Sequence, residues 1–395
     1  MRTSLGKSHA ATQGWASPNT EAAYTRAWEL CQHTRDTSWL FAVLWGLSQV
    51  SIVRADLSKH REVSTQFLSL AAQRSDTILL VVAHWLTGVN LWHVGDFATA
   101  LVQLEKAYAC YDPRHHTTYV TQFGVDVGVF TLSYLSHALW GLGYPQQAVE
   151  RSREALALAQ EVQHPFSVAL AHAYAAMLQQ FRRAPRTAHT HVELTLRVCA
   201  KHGFAYYLAW ATIIQGWVLA VAGRREEGRT QLQQGLTTLH ATGGGLRSSY
   251  YLLLLAEAER EGGQTAERAR VLEEASRQLE HTQECWVAAP LSCLRGDAWL
   301  AVSPANPLAA EACFQHALEV ACSQHAKSWE LRAATGLARL WQAQGKRQAA
   351  YDLLVPVYTW FTEGFDTADL QEAKQLLATL SEELSCPWGE RSSTS

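Results

Sequence analysis

Residues Leu331–Val357 read LRAATGLARLWQAQGKRQAAYDLLVPV. Leu337, Ala338 and Trp341 fall on one face of a helix, because residues three and four apart lie above one another. Gly345 breaks that helix. Ala350, Leu354 and Val357 fall on one face of the next. A small residue lets two helix backbones approach closely, and a bulky one fills the gap beside it. The stretch therefore predicts two packed antiparallel helices. One such pair cannot bury its apolar faces alone, so it needs neighbours.

The neighbours recur at nearly fixed spacing. The turn position is occupied by Gly95, Gly143, Arg183, Gly223, Gly263, Ala305 and Gly345, at steps of 48, 40, 40, 40, 42 and 40 residues. Seven residues before it stand Gly88, Ser136, Ala176, Gly216, Ala256, Ala298 and Ala338, all small. Five after it stand Ala100, Ala148, Ala188, Gly228, Arg268, Ala310 and Ala350, where Arg268 alone departs. Nine after it stand Leu104, Ser152, Val192, Leu232, Leu272, Phe314 and Leu354. This pattern resembles the tetratricopeptide repeat (TPR), whose period is about 34 residues. The period here is about 40, or roughly three more residues per helix. The expected fold is all-α: a TPR-like α-solenoid, a right-handed superhelix of antiparallel helix pairs with long helices.

Composition sets the class. The chain has 395 residues, 48% of them hydrophobic, and a formal net charge of −3. It has no basic excess to mark a nucleic-acid face and no polybasic membrane patch. The N-terminus lacks the apolar core of a signal peptide, and no apolar run is long enough to span a bilayer. The eight cysteines form no C-x-x-C and read as small buried hydrophobes in a reducing cytoplasm.

Along the chain, residues 1–18 form a loose segment. The helical repeat domain covers 19–384, with Asn19 or Thr20 as first cap. A degenerate repeat occupies 38–75, clear repeats run from about 77 to 364, and a capping helix covers 366–384. Residues 385–395 are read as a disordered tail. Asp112–Val125 interrupts the period and reads as a long functional loop, a candidate lid.

Motifs for chemistry are weak. Leu5-Gly6-Lys7-Ser8 echoes the end of a phosphate-binding loop, but the first glycine of that motif would fall on Met1 and no strand precedes it. The closest of the 17 histidines, His115/His116 and His189/His191, have no carboxylate or cysteine at ligand spacing. No cofactor, metal site or catalytic residue is expected, and the chain is not expected to be an enzyme. The aromatics are more informative. First helices of TPR pairs line a concave groove. The register puts Trp85, Trp92, Phe130, Ser133, His137, Trp140, Trp210, Ile213, Trp217, Tyr250, Arg295, Trp299, Arg332 and Arg339 there. Phe130, His137, Trp140, Trp210, Trp217 and Trp299 are the candidate partner site, since aromatic and Arg side chains anchor interfaces. The alternative is that the longer helices turn some of these into the core.

Four stretches carry a family resemblance: Tyr111-Asp112-Pro113, Gly124–Pro145, His164-Pro165-Phe166-Ser167 and Ser328–Ala373. They resemble the C-terminal TPR region of bacterial signalling proteins that join a class III adenylate/guanylate cyclase to a STAND (AAA-like) ATPase. The resemblance implies a regulatory tail alone, a truncated or split gene product. Its partner would be a protein or peptide, a small inducer, or a cyclase or STAND module, with no nucleic acid and no membrane. A stand-alone scaffold or small-molecule-sensing solenoid is the alternative.

Overall fold

The computed structural model describes residues 5–7, 9, 10, 14–32, 39–259, 265–302 and 305–385. All regular structure among them is helical. The helices are α1 (Pro18–Gln32), α2 (Leu40–Val53), α3 (Leu57–Arg74), α4 (Thr77–His93), α5 (Phe97–Cys110), α6 (His116–Phe123), α7 (Val127–Gly141), α8 (Pro145–Val162), α9 (Pro165–Phe181), α10 (Pro185–His202), α11 (Ala205–Val221), α12 (Arg225–Ala241), α13 (Ser248–Ala258), α14 (Thr265–Thr282), α15 (Ala288–Ala301), α16 (Pro307–Ser323), α17 (Lys327–Ala343), α18 (Arg347–Thr359) and α19 (Ala368–Ser385). Turn position Gly263, the tail beyond Ser385, and Met1–Ser4, Ser8 and 11–13 of the N-terminal segment lie outside the described residues.

The sequence register matches the packing. Ala176, Ala256, Ala338, Ala100, Ala148, Ala188, Ala310 and Ala350 are all buried, as are Leu104, Val192, Leu232 and Leu354. The backbones come closest between α11 and α12. A Cβ on Gly216 would lie 2.7 Å from the Gly228 carbonyl oxygen, and one on Gly228 would lie 2.6 Å from the Gly216 oxygen. Ala298 is only half buried. Two residues earlier, a Cβ on Gly296 would meet the Phe314 ring at 2.9 Å, so Gly296 supplies the space there. Arg268 fits a position reserved for small residues by reaching across to α15, where it donates to the Leu294 carbonyl at 3.4 Å.

Many helix starts and stops have a local cause. Asp56, Asp76, Asp96 and Asp126 cap α3, α4, α5 and α7 by accepting backbone N–H bonds. Pro145, Pro165, Pro185 and Pro307 open α8, α9, α10 and α16, where the missing N–H costs nothing. Five turns end their helix with one bond, from the residue after the turn position to the carbonyl four before it: Asp96 to Leu91, Tyr144 to Leu139, Ala184 to Gln179, Arg224 to Leu219 and Lys346 to Trp341. The turn residue has positive φ in each, including the non-glycine Arg183 at 57°.

Three expectations need correction. The first cap is Ser17, whose Oγ accepts from the Thr20 N–H at 3.2 Å; Thr20 is buried one turn in. Asp112–Val125 is not a loop over a groove. It folds as a 3-10 turn (Pro113–His115) followed by α6. Tyr119 and Phe123, four apart, anchor it, and Phe123 packs on Trp45 with centroids 5.2 Å apart. That apolar pair outweighs the poor helix propensity of the β-branched residues between. Of the seven described cysteines, only Cys199 is buried, and Cys322 is exposed.

The solenoid coils back on itself. The Gly245 N–H donates to the Val53 carbonyl at 2.9 Å. His93 bonds Glu284, 191 residues away, and Ser328 donates to the Trp140 carbonyl across 188. Arg183 bonds Asp369 across 186. These four contacts advance by roughly one repeat each, so a superhelical turn takes about 190 residues, between four and five repeats. Glu363 adds a further clamp, accepting from the first N–H groups of α8, Gln146 at 2.8 Å and Gln147 at 3.1 Å.

Candidate functional site: a sealed inner wall and an open cleft

First helices line the inside of the superhelix, and in the first turn their aromatic side chains touch in series. Trp85 stacks on Phe130 at 4.7 Å, Phe130 meets Tyr174 at 5.8 Å, and Tyr174 meets Trp210 at 4.9 Å. The second turn closes over them: Trp286 packs on Trp92 at 4.5 Å and Trp329 on Trp140 at 4.7 Å.

A ring of hydrogen bonds lies at the centre of this aromatic packing. Arg247 Nη2 donates to Tyr134 Oη at 2.9 Å, and Tyr134 donates to His93 Nε2 at 3.1 Å. His93 Nδ1 donates to Glu284 Oε1 at 2.9 Å, and Glu284 Oε2 accepts from the Arg247 backbone N–H at 2.7 Å. The order of donors follows from His93 being neutral: burial, reinforced by Arg247, lowers its pKa to about 4 despite the Glu284 bond. Arg247 also donates to Tyr174 Oη at 2.9 Å and stacks over Trp210 at 4.6 Å. Four helices and two loops meet here, so the ring ties the first superhelical turn to the second. The buried Arg247 guanidinium is compensated by two tyrosine hydroxyls and the Trp210 face rather than by a carboxylate. The Glu–His–Tyr order is that of a proton relay, but all three residues are sealed and line neither cavity described below.

The inner wall opens toward the C-terminal end. A cleft of about 600 Å³ lies between the 183–185 turn, α11, α13, α15, α17 and the start of α19. Trp217, Val221, Ala258, Leu294 and Phe314 supply its apolar lining; Arg183, Arg225, Arg332 and Arg339 face Glu257, Asp297, Asp369 and Glu372. Trp217 Nε1 donates to Glu257 Oε2 at 3.1 Å. Arg183 Nη1 lies 2.8 Å from Glu372 Oε1, and Arg339 Nη2 lies 3.1 Å from Glu372 Oε2. Burial opposes ionisation of Glu372, but these two guanidinium groups hold its pKa below the usual carboxylate range. Arg332 pairs with Asp369 at 2.9 Å and stacks on Trp329. A second cavity, also about 600 Å³, sits at the other end beside Arg54, Asp56, Asn90 and Gln283. Its Arg54 is engaged by Glu21 and by the Ala16 carbonyl.

The six candidate residues separate along this axis. Phe130, His137, Trp140 and Trp210 are sealed within the aromatic packing, and His137 Nε2 donates to the Tyr174 carbonyl at 3.0 Å. Trp217 is buried but borders the cleft, and Trp299 is 41% exposed. Arg295 and Arg339 are exposed and Arg332 is half buried. Sequence reasoning missed the acidic half of the cleft and the Arg247–Glu284 ring. One signal was available: Arg183 breaks the glycine series at the turn position. Among the described residues no three His, Cys, Asp or Glu side chains are placed to hold a metal, and no helix is long and apolar enough to cross a membrane.

No protein-family model matches the chain, and no curated protein matches it. Solved structures do. A Rap protein complexed with competence and sporulation factor aligns at 11% identity and TM-score 0.62, over 96% of this chain and 98% of that one. The Rap conjugation gene regulator of plasmid pLS20, in complex with the Phr* peptide, aligns at 11% identity and TM-score 0.55, over 99% and 98%. A STAND protein with a tetratricopeptide repeat sensor from Pyrococcus horikoshii aligns at 14% identity and TM-score 0.42, over 93% of this chain and 55% of that one. The first two place the fold among TPR-like helical-repeat solenoids.

Proposed function

We propose that the chain is a non-catalytic binding and sensing repeat domain that takes a peptide or protein segment in the C-terminal cleft. The observation that carries this is the cleft itself: exposed Arg183 and Arg339 and acidic walls stand over a buried floor of Trp217 and Phe314. Its volume suits a ligand site, and convergent Trp and Arg are the side chains that anchor partners. Two solenoids of similar fold are described in complex with a factor and a peptide. The resemblance of Ser328–Ala373 and the shorter motifs supports a finer reading: a cytoplasmic regulatory tail answering to a cyclase or STAND ATPase module, or to a small inducer.

The test is selection from a random-sequence peptide library on the full chain. Val221 lines the cleft and is 56% exposed, so Val221→Trp fills the site with little effect on stability. Selected peptides should bind the parent and lose about tenfold or more in affinity on Val221→Trp, at unchanged melting temperature. No selected peptide, or binding indifferent to that substitution, refutes the proposal.

A further inference from the structure

We infer that the cleft recognises a carboxylate of its peptide ligand, through Arg183 and Arg339. The inference rests on the peptide-binding reading above and specifies the chemistry of that ligand.

Arg183 occupies a left-handed turn, φ 57°, where the matching turns use Gly95, Gly143, Gly223 and Gly345. That backbone is strained for any residue with a Cβ. Six other described non-glycine residues share this conformation, Ala55 among them in the same kind of turn, so what distinguishes Arg183 is where its side chain goes. The Arg183 side chain reaches the cleft rim and meets Arg339 over one carboxylate, each guanidinium on a separate oxygen of Glu372. Glu372 therefore fixes the two groups side by side. Asp369 holds Arg183 from a second direction, at 3.3 Å.

Both guanidinium groups keep capacity for a ligand. A guanidinium has five N–H donors. Among the described residues, Arg183 meets these acids through Nη1, and Arg339 meets Glu372 through Nη2. Their side chains are 43% and 52% exposed. Two held guanidinium planes with spare donors suit a planar carboxylate, which accepts paired N–H bonds. Arg332 is a supporting residue rather than a contact: it bonds Asp369 and the Phe181 carbonyl and stacks on Trp140 and Trp329.

The carboxylate has two sources, a peptide C-terminus and an Asp or Glu side chain. Peptides from the random-sequence selection separate them when synthesised as free acid, as C-terminal amide, and with Asp and Glu changed to Asn and Gln. Each form is titrated against the full parent chain, Arg339→Gln and Arg183→Gly; the last keeps the left-handed turn while removing the guanidinium. One of the two neutralised forms should bind the parent about tenfold or more weakly. The same neutralisation should cost little on either variant, the signature of a direct pair. The form that loses affinity names the source. If selected peptides are blocked by Val221→Trp yet indifferent to both neutralisations, the carboxylate inference falls and the peptide reading stands. If no selected peptide is blocked by Val221→Trp, both fall.

Discussion

Trp210 and Trp217 lie two turns apart on the same face of α11, yet their surroundings differ. Trp210 is fully buried under the Arg247 guanidinium, inside the first superhelical turn. Trp217 borders open space beside Arg183 and Glu257. Both face the inner wall from the same helix. What separates them is the returning second turn, which packs Arg247 onto Trp210 and leaves a cleft beside Trp217. An inner-wall position in a tightly coiled solenoid is available to a partner only where the next turn has not filled it.

The largest test by a single substitution is truncation of the sealed tryptophan. Trp210→Ala should cost about 3–5 kcal/mol in chemical unfolding, because the cavity cannot collapse among packed rings. A loss below about 1 kcal/mol would mean the wall around Trp210 is open in solution.

Acid should act on the buried histidines next. Burial holds His60 and His137 at a pKa of about 3 and His93 and His172 at about 4. All four take up protons near 6.5 once unfolded. The unfolded chain therefore binds more protons between those values, and stability falls with decreasing pH. The loss begins as pH drops below about 6.5 and approaches about 1.4 kcal/mol per pH unit for each histidine until the folded pKa is reached. Melting temperatures from pH 7 to 5 check this; a flat profile would show these histidines to be solvated.

A smaller effect tests the repeat register that both regions share. Ala338 is fully buried at the close-approach position of α17, beside the cleft wall. Ala338→Leu should overpack and cost about 1–3 kcal/mol, read as a shift in the denaturation midpoint. Full stability in that variant would contradict the pairing of α17 with α18.

The repeat was legible because it is a local rule. Small residues seven before and five after a turn mark where two adjacent helices touch, and that contact depends on a few dozen residues of sequence. Superhelical closure is not local. His93 and Glu284, or Trp140 and Ser328, meet because small rotations at each pair add up over about 190 residues. Nothing in the periodicity states that sum, so the aromatics were assigned to a groove without knowing where it is filled. Nothing local marks the loop after α12 as the one that carries Arg247 into the core. Arg183 was visible as an exception in the glycine series, yet its partners Asp369 and Glu372 come from the next superhelical turn.

Hydrogen–deuterium exchange on the full chain, with and without a peptide selected from the random-sequence library, tests the central claim most directly. The account predicts added protection at 217–225, 332–339 and 368–372 around the cleft. Residues 85–93 and 127–141 should exchange slowly in the free chain and should not change. New protection centred on 127–141, or rapid exchange there before peptide is added, would contradict a sealed inner wall.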